Sequence, residues 1–93
     1  MSYYFYLARC NDGSLYSGSC IDLKERETKH NDGKGAKYTR SRLPVRIIYH
    51  EEFATLGQAR SREAKVKGWS KEEKEMLVKS NGKQSMLLRS AAR

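Results

Sequence analysis

The sequence has few residues that cross-link or kink a chain, with two cysteines and one proline in 93 residues. No run approaches the ~20 apolar residues of a membrane-spanning helix. The apolar run at residues 3–8 passes directly into polar turn residues, unlike a signal peptide. We therefore expect a cytoplasmic protein without a membrane partner, in a compartment where disulfides are rare.

The two cysteines are expected to remain unbridged. Cys10 lies beside a predicted turn and Cys20 at the far end of the same hairpin, roughly 15–20 Å apart at about 3.3 Å per residue. A disulfide needs Cα atoms within about 7 Å. A zinc site shared with His30 and His50 is also disfavoured, because the sequence has no paired C-x-x-C or H-x-x-x-H spacing.

Acidic residues are scarce relative to basic ones. Eleven Asp and Glu face nineteen Lys and Arg, which gives a net charge of +8. A basic excess on a small domain most often indicates a polyanionic partner, and nucleic acid is the commonest. The alternative is a merely soluble surface.

A chain of 93 residues is long enough for one domain with one modest core.

Two aromatic-rich runs, residues 3–9 and 15–20, predict a β-hairpin around an Asn-Asp-Gly turn. A two-residue loop would place Tyr6 and Tyr16 on opposite faces of the sheet. A three-residue loop, with Gly13 in the left-handed bulge position, would place both tyrosines on the same face. We predict the three-residue loop.

A charged helix is predicted next. Asp22 and Glu25 have the spacing of a capping-box-like pair, and the Asn31–Gly33 turn ends the helix. Arg26 and His30 lie four residues apart and therefore share one face. The alternative is a solvated arginine and a surface histidine.

Residues 33–42 are predicted to form a basic loop that contacts nucleic acid. They contain two glycines, the aromatic Tyr38 and four cations, Lys34, Lys37, Arg40 and Arg42. Glycine permits close backbone approach, Lys and Arg bind phosphates, and an aromatic ring can stack on a base. The alternative is a plain flexible loop.

A third strand is predicted over residues 45–53, followed by a helix that Thr55 and Gln58 cap. One face of this helix carries Leu56, Ala59, Glu63 and Val66. Glu63 therefore interrupts an apolar stripe, which is costly unless the carboxylate is paired or bound to a cation. The pattern leaves two interpretations open, a salt bridge such as one to Arg26 or a metal-binding or catalytic carboxylate.

A last helix is predicted from the capping-box spacing of Ser70 and Glu73, and Asn81-Gly82 is expected to end it. The chain is thus expected to form one domain over residues 1–80, followed by a basic, flexible tail over residues 81–93.

One combination of residues runs through most of the chain, from residue 3 to residue 78. It comprises Tyr6, Tyr16-Ser17-Gly18, Asp22-Leu23, Arg26, His30, the Gly-Lys-Gly-Ala-Lys-Tyr segment at 33–38, and Arg62-Glu63. This combination resembles the GIY-YIG nuclease superfamily, in particular its small single-domain UvrC-like or YhbQ-like branch. It departs from the family pattern where Tyr4-Phe5-Tyr6 replaces Gly-Ile-Tyr and where Ser17 replaces an apolar residue.

The resemblance implies an α/β (α+β) fold with a three-stranded antiparallel sheet flanked by helices. It also implies metal-dependent cleavage of DNA phosphodiesters with one Mg²⁺ or Mn²⁺. Six residues match the catalytic positions, namely Tyr6, Tyr16, Arg26, His30, Tyr38 and the metal-binding Glu63. Asn81 is the one candidate for a polar residue that some members place after the glutamate helix.

Tyr6 is the candidate general base in this interpretation. A free tyrosine has a pKa near ~10, so a base at neutral pH needs a shift of about 3 units, which nearby positive charge must supply against burial. Tyr16 would orient the water or relay the proton. Arg26 would donate to the phosphate oxygens, and His30 and Tyr38 would position the phosphate.

The leading hypothesis is therefore a DNA endonuclease of repair or processing with low intrinsic sequence specificity, whose target a partner protein would supply. RNA stays an alternative substrate. Two further alternatives are a non-catalytic nucleic-acid-binding module and a nuclease subunit of a larger complex.

Overall fold

The computed structural model of the protein describes residues 1–84. Its elements follow the order β1 (Tyr3–Arg9), β2 (Leu15–Cys20), α1 (Leu23–Asn31), α2 (Lys37–Arg40), β3 (Arg46–Phe53), α3 (Leu56–Lys67) and α4 (Lys71–Gln84). The three strands form an antiparallel sheet with β1 in the centre and β2 and β3 at its edges. The predicted fold class is confirmed.

The hairpin has the predicted three-residue loop. Tyr6 pairs with Gly18 and Ala8 with Tyr16, while the Cys10 amide donates to the Ser14 carbonyl at 2.9 Å. Gly13 has the positive φ of 86° that the bulge position needs. Tyr6 and Tyr16 therefore lie on the same face of the sheet, with ring centroids 6.4 Å apart.

The pairing of β1 with β3 contains a bulge at Ile48. Leu7 pairs with Tyr49 and Ala8 with Ile47, so Ile48 is the extra residue. Residues two apart in a regular strand share a face, whereas a bulge reverses the alternation. Ile47 and Tyr49 can therefore pack into the cores on opposite faces of the sheet.

Each face of the sheet has its own core. On the first face α1 and the segment after it cover a buried cluster of Tyr6, Ala8, Cys10, Cys20 and Val45. On the second face α3 and α4 cover a buried cluster of Phe5, Leu7, Tyr49 and Val66. Both cysteines are free thiols in the first core, as expected from their separation.

The predicted helix starts are confirmed. The Asp22 carboxylate accepts from the Glu25 amide at 2.9 Å, and reciprocal capping boxes join Thr55 with Gln58 and Ser70 with Glu73. These contacts satisfy amide groups that have no partner within the helix. The first helix ends at Asn31, before Gly33, whose φ is 77°.

Two predictions about the ends of elements are wrong. Residues 33–42 are not all loop, because Lys37–Arg40 forms the short helix α2. Asn81-Gly82 does not end the last helix, which continues to Gln84. A helical glycine costs only about 1 kcal/mol relative to alanine, so it does not by itself stop a helix. The expected boundary at residue 80 therefore lies inside α4, and the remainder of the predicted tail lies outside the described residues.

Among residues 1–84 the structure contains no helix long and apolar enough to cross a membrane.

Candidate active site

A polar groove of about 260 Å³ lies between β2, α1 and the segment that follows α1. Its lining consists of Tyr16, Arg26, Lys29, His30, Lys34, Gly35 and Ala36. Three of the predicted catalytic residues, Tyr16, Arg26 and His30, therefore meet there, together with two further cationic side chains, Lys29 and Lys34. A larger groove of about 780 Å³ lies between α1, β3 and α4, but none of the predicted site residues lines it.

Tyr6 lies behind the small groove in a buried hydrogen-bonded chain. Its Oη is 2.8 Å from His30 Nε2, and His30 Nδ1 is 2.9 Å from Thr39 Oγ1. The Thr39 hydroxyl in turn contacts the Ala36 carbonyl at 2.9 Å. Tyr6, His30 and Thr39 are at most 1% exposed. The chain satisfies polar groups whose burial would otherwise be costly.

Two glycines give this chain the room it needs. A Cβ atom on Gly18 would lie less than 3.0 Å from Tyr6 Oη, and one on Gly35 less than 3.0 Å from His30 Nδ1. Real Cβ atoms do not approach other atoms this closely, so both positions exclude side chains. The glycine of the Tyr16-Ser17-Gly18 motif thus has a packing role.

Burial keeps the phenol of Tyr6 protonated. It raises the pKa of Tyr6, with a further contribution from Tyr16, and the hydrogen bond and charge of Arg26 oppose this rise without overcoming it. Burial, followed by the charges of Arg26 and Lys29, lowers the pKa of His30. The condition that the general-base hypothesis set for Tyr6, a pKa near neutral, is therefore not met in this structure.

Tyr16 and Tyr38 form a stack at the mouth of the groove. The Tyr16 ring meets the His30 ring edge-on at 5.4 Å and stacks with Tyr38 at 6.0 Å. The Arg42 guanidinium lies over the Tyr38 ring, with its Cζ 3.9 Å from the ring centroid. Tyr38 is 40% exposed, so one aromatic edge remains open to a ligand.

The four predicted DNA-binding cations have different surroundings. Arg42 pairs with Asp12 at 3.0 Å and donates to the Tyr38 carbonyl at 2.8 Å, so it joins the hairpin turn to α2. In the described part of the chain, the side chains of Lys34, Lys37 and Arg40 are exposed and form no ion pair. These three cations are available to phosphates, whereas Arg42 is a structural residue.

Glu63 approaches the site from α3, past the edge strand β2. Its Oε1 accepts from Ser19 Oγ at 2.8 Å, and its Oε2 lies 3.3 Å from Lys67 Nζ. Arg26 does not pair with Glu63, but donates to the backbone carbonyl of Ser19 at 3.3 Å. Arg26 and Glu63 thus converge on one residue from opposite faces of the sheet.

The donor set fits one divalent ion in an open site. Across residues 1–84 no cluster of three His, Cys, Asp or Glu side chains could enclose a metal. The Glu63 side chain is 21% exposed, and one of its oxygens contacts only a flexible lysine. Mg²⁺ usually takes one or two carboxylates and completes its coordination with waters and substrate phosphates.

Residues 2–76 match the model of the GIY-YIG catalytic domain. The chain belongs to the GIY-YIG family. Because GIY-YIG domains are endonucleases, the site described above lies in a nuclease-type domain. The resemblance noted in the sequence is confirmed.

Relatives of this GIY-YIG chain include UPF0213 proteins. That of Bacillus pumilus is 48% identical over 77 residues, which is 83% of this chain and 79% of the relative. That of Staphylococcus saprophyticus is 45% identical over 76 residues, which is 82% of this chain and 93% of the relative.

Two solution NMR structures have a similar fold. The UPF0213 protein BH0048 from Bacillus halodurans is 41% identical with a TM-score of 0.57, covering 91% of this chain and 90% of that one. The protein EF2693 from E. faecalis is 37% identical with a TM-score of 0.61, covering 100% of this chain and 94% of that one.

The residues of this GIY-YIG site that the sequence did not predict include Ser19, Thr39 and Lys67. Lys67 could have been found, because it lies four residues after Glu63 on one helix. Its Nζ also lies 5.9 Å from the Tyr16 ring centroid. No local pattern identifies Ser19 or Thr39, because their partners are distant in the sequence. The side chain of the predicted Asn81 lies outside the part of the chain that the structure describes.

Proposed function

We propose that the protein is a metal-dependent endonuclease that hydrolyses DNA phosphodiester bonds with low intrinsic sequence specificity, in repair or processing. The observation that carries this proposal is the convergence of Arg26 and Glu63 on Ser19, beside the groove that Tyr16 lines. Phosphodiester hydrolysis needs charge neutralisation, a metal ligand and a group that contacts the attacking water. Arg26 supplies the charge neutralisation, Glu63 the metal ligand and Tyr16 the contact with the water.

Arg26 is the phosphate ligand in this proposal. Its Nε is buried and has no hydrogen-bond partner in the described part of the chain, while its guanidinium lines the groove. A phosphate in the groove would give this donor an acceptor. Hydrogen bonds from a guanidinium to phosphate oxygens are strong because both groups are charged.

Glu63 is the ligand for one Mg²⁺ or Mn²⁺. A bound ion of this kind supplies charge neutralisation at the phosphate and at the leaving oxygen. Ser19 holds one carboxylate oxygen in place through its hydroxyl. Lys67 must move away from the other oxygen before that oxygen can bind a metal ion.

Tyr16 is the residue that contacts the attacking water. It lines the groove, whereas Tyr6 is 0% exposed and bonded to His30. A residue that handles the proton of a water must come within hydrogen-bond distance of it. We therefore assign this contact to Tyr16, and to Tyr6 and His30 a supporting role behind it.

The DNA backbone would lie along α2 and the segment before it. Lys34, Lys37 and Arg40 supply phosphate contacts there, and the exposed ring of Tyr38 lies beside them. Contacts of this kind carry little sequence information. We propose that a protein partner supplies the target.

Plasmid cleavage tests this function. Wild type, Glu63→Ala and the surface control Glu72→Ala are incubated with supercoiled plasmid in Mg²⁺ or Mn²⁺, with an EDTA control. We expect nicking by wild type and Glu72→Ala, and a loss of roughly 10²–10³-fold in Glu63→Ala, the magnitude typical of one electrostatic group in an active site.

One observation favours the non-catalytic alternative, namely that both Glu63 oxygens already have protein partners. If wild type binds plasmid, branched DNA and single-stranded DNA without cutting any of them, the protein is a binding module and Glu63 is a structural ion-pair partner.

A further inference from the structure

We propose that Thr39 is a positioning residue that sets the tautomer of His30, and thereby the direction of the hydrogen bond between His30 and Tyr6. This inference deepens the proposed function, on which its catalytic consequence rests. The tautomer itself follows from the contacts of the buried chain and does not depend on activity.

The protons of the buried chain all need acceptors. The buried chain carries three of them, on Tyr6 Oη, on one nitrogen of His30 and on Thr39 Oγ1. The contacts of these groups are Tyr6 Oη with His30 Nε2, His30 Nδ1 with Thr39 Oγ1, and Thr39 Oγ1 with the Ala36 carbonyl. A carbonyl can only accept, so it anchors one end of the chain.

One arrangement gives every proton an acceptor. The Thr39 hydroxyl donates to the Ala36 carbonyl, so its oxygen accepts from a proton on His30 Nδ1. The other nitrogen, Nε2, then carries no proton and accepts from Tyr6. All three donors are satisfied, as buried donors usually are.

The reversed arrangement leaves one proton without an acceptor. If Thr39 donated to His30 Nδ1, Nε2 would carry the proton and donate to Tyr6 Oη. The Tyr6 proton would then have no acceptor side chain among the described residues, in a group that is 0% exposed. A buried donor left unsatisfied costs about 1–3 kcal/mol. A doubly protonated His30 would also leave the Tyr6 proton without an acceptor.

The tautomer affects the groove through Tyr6. When the Tyr6 proton points at His30, the lone pairs of its oxygen remain free to accept. The positive charge of Arg26 acts on this oxygen, since it opposes the rise in the pKa of Tyr6. Thr39 therefore acts through His30 and Tyr6 on the guanidinium that we assign to the phosphate.

Nitrogen-15 NMR of the imidazole rings tests the tautomer directly. In uniformly labelled wild-type protein near pH 7.5, we expect His30 to carry its proton on Nδ1 and none on Nε2. Exposed His50 gives an internal reference for a solvated ring. A His30 protonated on Nε2 or on both nitrogens would overturn the proposal without any variant.

Four variants assign the tautomer to Thr39. Thr39→Ser keeps the hydroxyl and should keep the Nδ1 proton. Thr39→Val keeps the shape but removes the acceptor, so the Nε2 tautomer should appear, and Thr39→Ala is a second variant without a hydroxyl. Tyr6→Phe removes only the hydroxyl that contacts His30 Nε2, and should leave the His30 proton on Nδ1. A change of tautomer in Tyr6→Phe or Thr39→Ser, or none in a folded Thr39→Val or Thr39→Ala, would contradict the proposal.

Cleavage measurements then test the consequence for the reaction. We expect Thr39→Val to lower kcat about tenfold with little change in KM, the lower end of the effect known for residues that orient metal-binding histidines, and Thr39→Ser to restore it. If the wild type does not cut DNA, the proposed function fails while the NMR result stands. If wild type cuts and His30 carries its proton on Nε2, the inference fails while the function stands.

Discussion

At the scale of single residues, the buried pair of Tyr6 and His30 depends on two positions that have no side chain. Gly18 and Gly35 lie against Tyr6 Oη and His30 Nδ1, at distances that exclude a Cβ atom. Neither glycine has a positive φ, so close approach and not backbone conformation requires glycine there. Both glycines belong to motifs that the sequence places around the site.

Gly35→Ala should destabilise the protein by about 1–3 kcal/mol, because the added methyl group must displace the buried His30 ring. Urea unfolding measures this change. Gly57→Ala is the matched control, because its Cβ would meet only Thr55 Oγ1, at 4.0 Å. In α3 that substitution should be neutral or stabilising by up to about 1 kcal/mol. Equal stabilities of the two variants would contradict the packing role of Gly35.

The lowered pKa of His30 predicts a pH dependence of stability. The unfolded chain takes up this proton near pH ~6.5, whereas the folded protein resists it. Stability should therefore be fully present above that pH, fall as the pH drops below it, and level off below the folded pKa. Comparison of wild type with His30→Gln by urea unfolding between pH 5 and 8 checks this. The fall should be smaller in the variant, since it lacks the buried imidazole.

At the scale of elements, α3 carries both the proposed metal ligand and a cation that competes for it. Glu63 and Lys67 lie one helical turn apart and form an ion pair at 3.3 Å. The Lys67 ammonium also lies 5.9 Å from the Tyr16 ring centroid, so its movement would change the charge at the groove.

Lys67→Met should therefore strengthen Mg²⁺ binding by up to about twofold, the equivalent of one i,i+4 ion pair of roughly 0.2–0.5 kcal/mol. Amide chemical shifts of residues 19 and 63 during a Mg²⁺ titration give the affinity without DNA. Lys65→Met, on the same helix and without an ion pair in the described part of the chain, is the control and should leave the affinity unchanged. Identical affinities for both variants would show that Lys67 does not compete.

At the scale of the whole molecule, the charge is divided between structural and available cations. The net charge is +8, but Arg9, Arg42 and Arg62 each hold a carboxylate partner in an ion pair. Their removal should weaken the fold more than it weakens DNA binding. Lys34, Lys37 and Arg40 are exposed, form no such pair in the described part of the molecule, and lie within seven residues of one another in the chain.

Removal of these three charges should therefore lower the salt dependence of DNA binding. We expect the slope of log K against log salt concentration to fall by about 2 to 3 in the triple alanine variant, at ~0.9 per phosphate contact on duplex DNA. Fluorescence anisotropy across a salt series measures this slope. Lys79→Ala, at an exposed position of α4, is the control and should leave it unchanged. A slope in the triple variant equal to that of wild type would show that DNA binds to another surface of the protein.

The sequence by itself determined the features that depend on neighbours in the chain. The hairpin register, the separation of Cys10 from Cys20 and the capping boxes of α3 and α4 were predicted correctly, because short-range spacing decides them. The position of Glu63 in the apolar stripe of α3 was predicted for the same reason. The end of α4 was wrong because a glycine weakens a helix without terminating it.

Only the tertiary structure decided which of these residues can reach a substrate. Tyr6 meets His30 across 24 residues and Ser19 meets Glu63 across 44, and no local pattern encodes such partners. Burial raises the pKa of Tyr6, away from the range of a base at neutral pH. Arg42 forms an ion pair with Asp12 that stabilises the fold. Thr39 belongs to the site through its contact with His30, although its segment was expected to be a loop. Solvent exposure and pKa depend on what the folded chain places around a group, which is why they followed from packing alone.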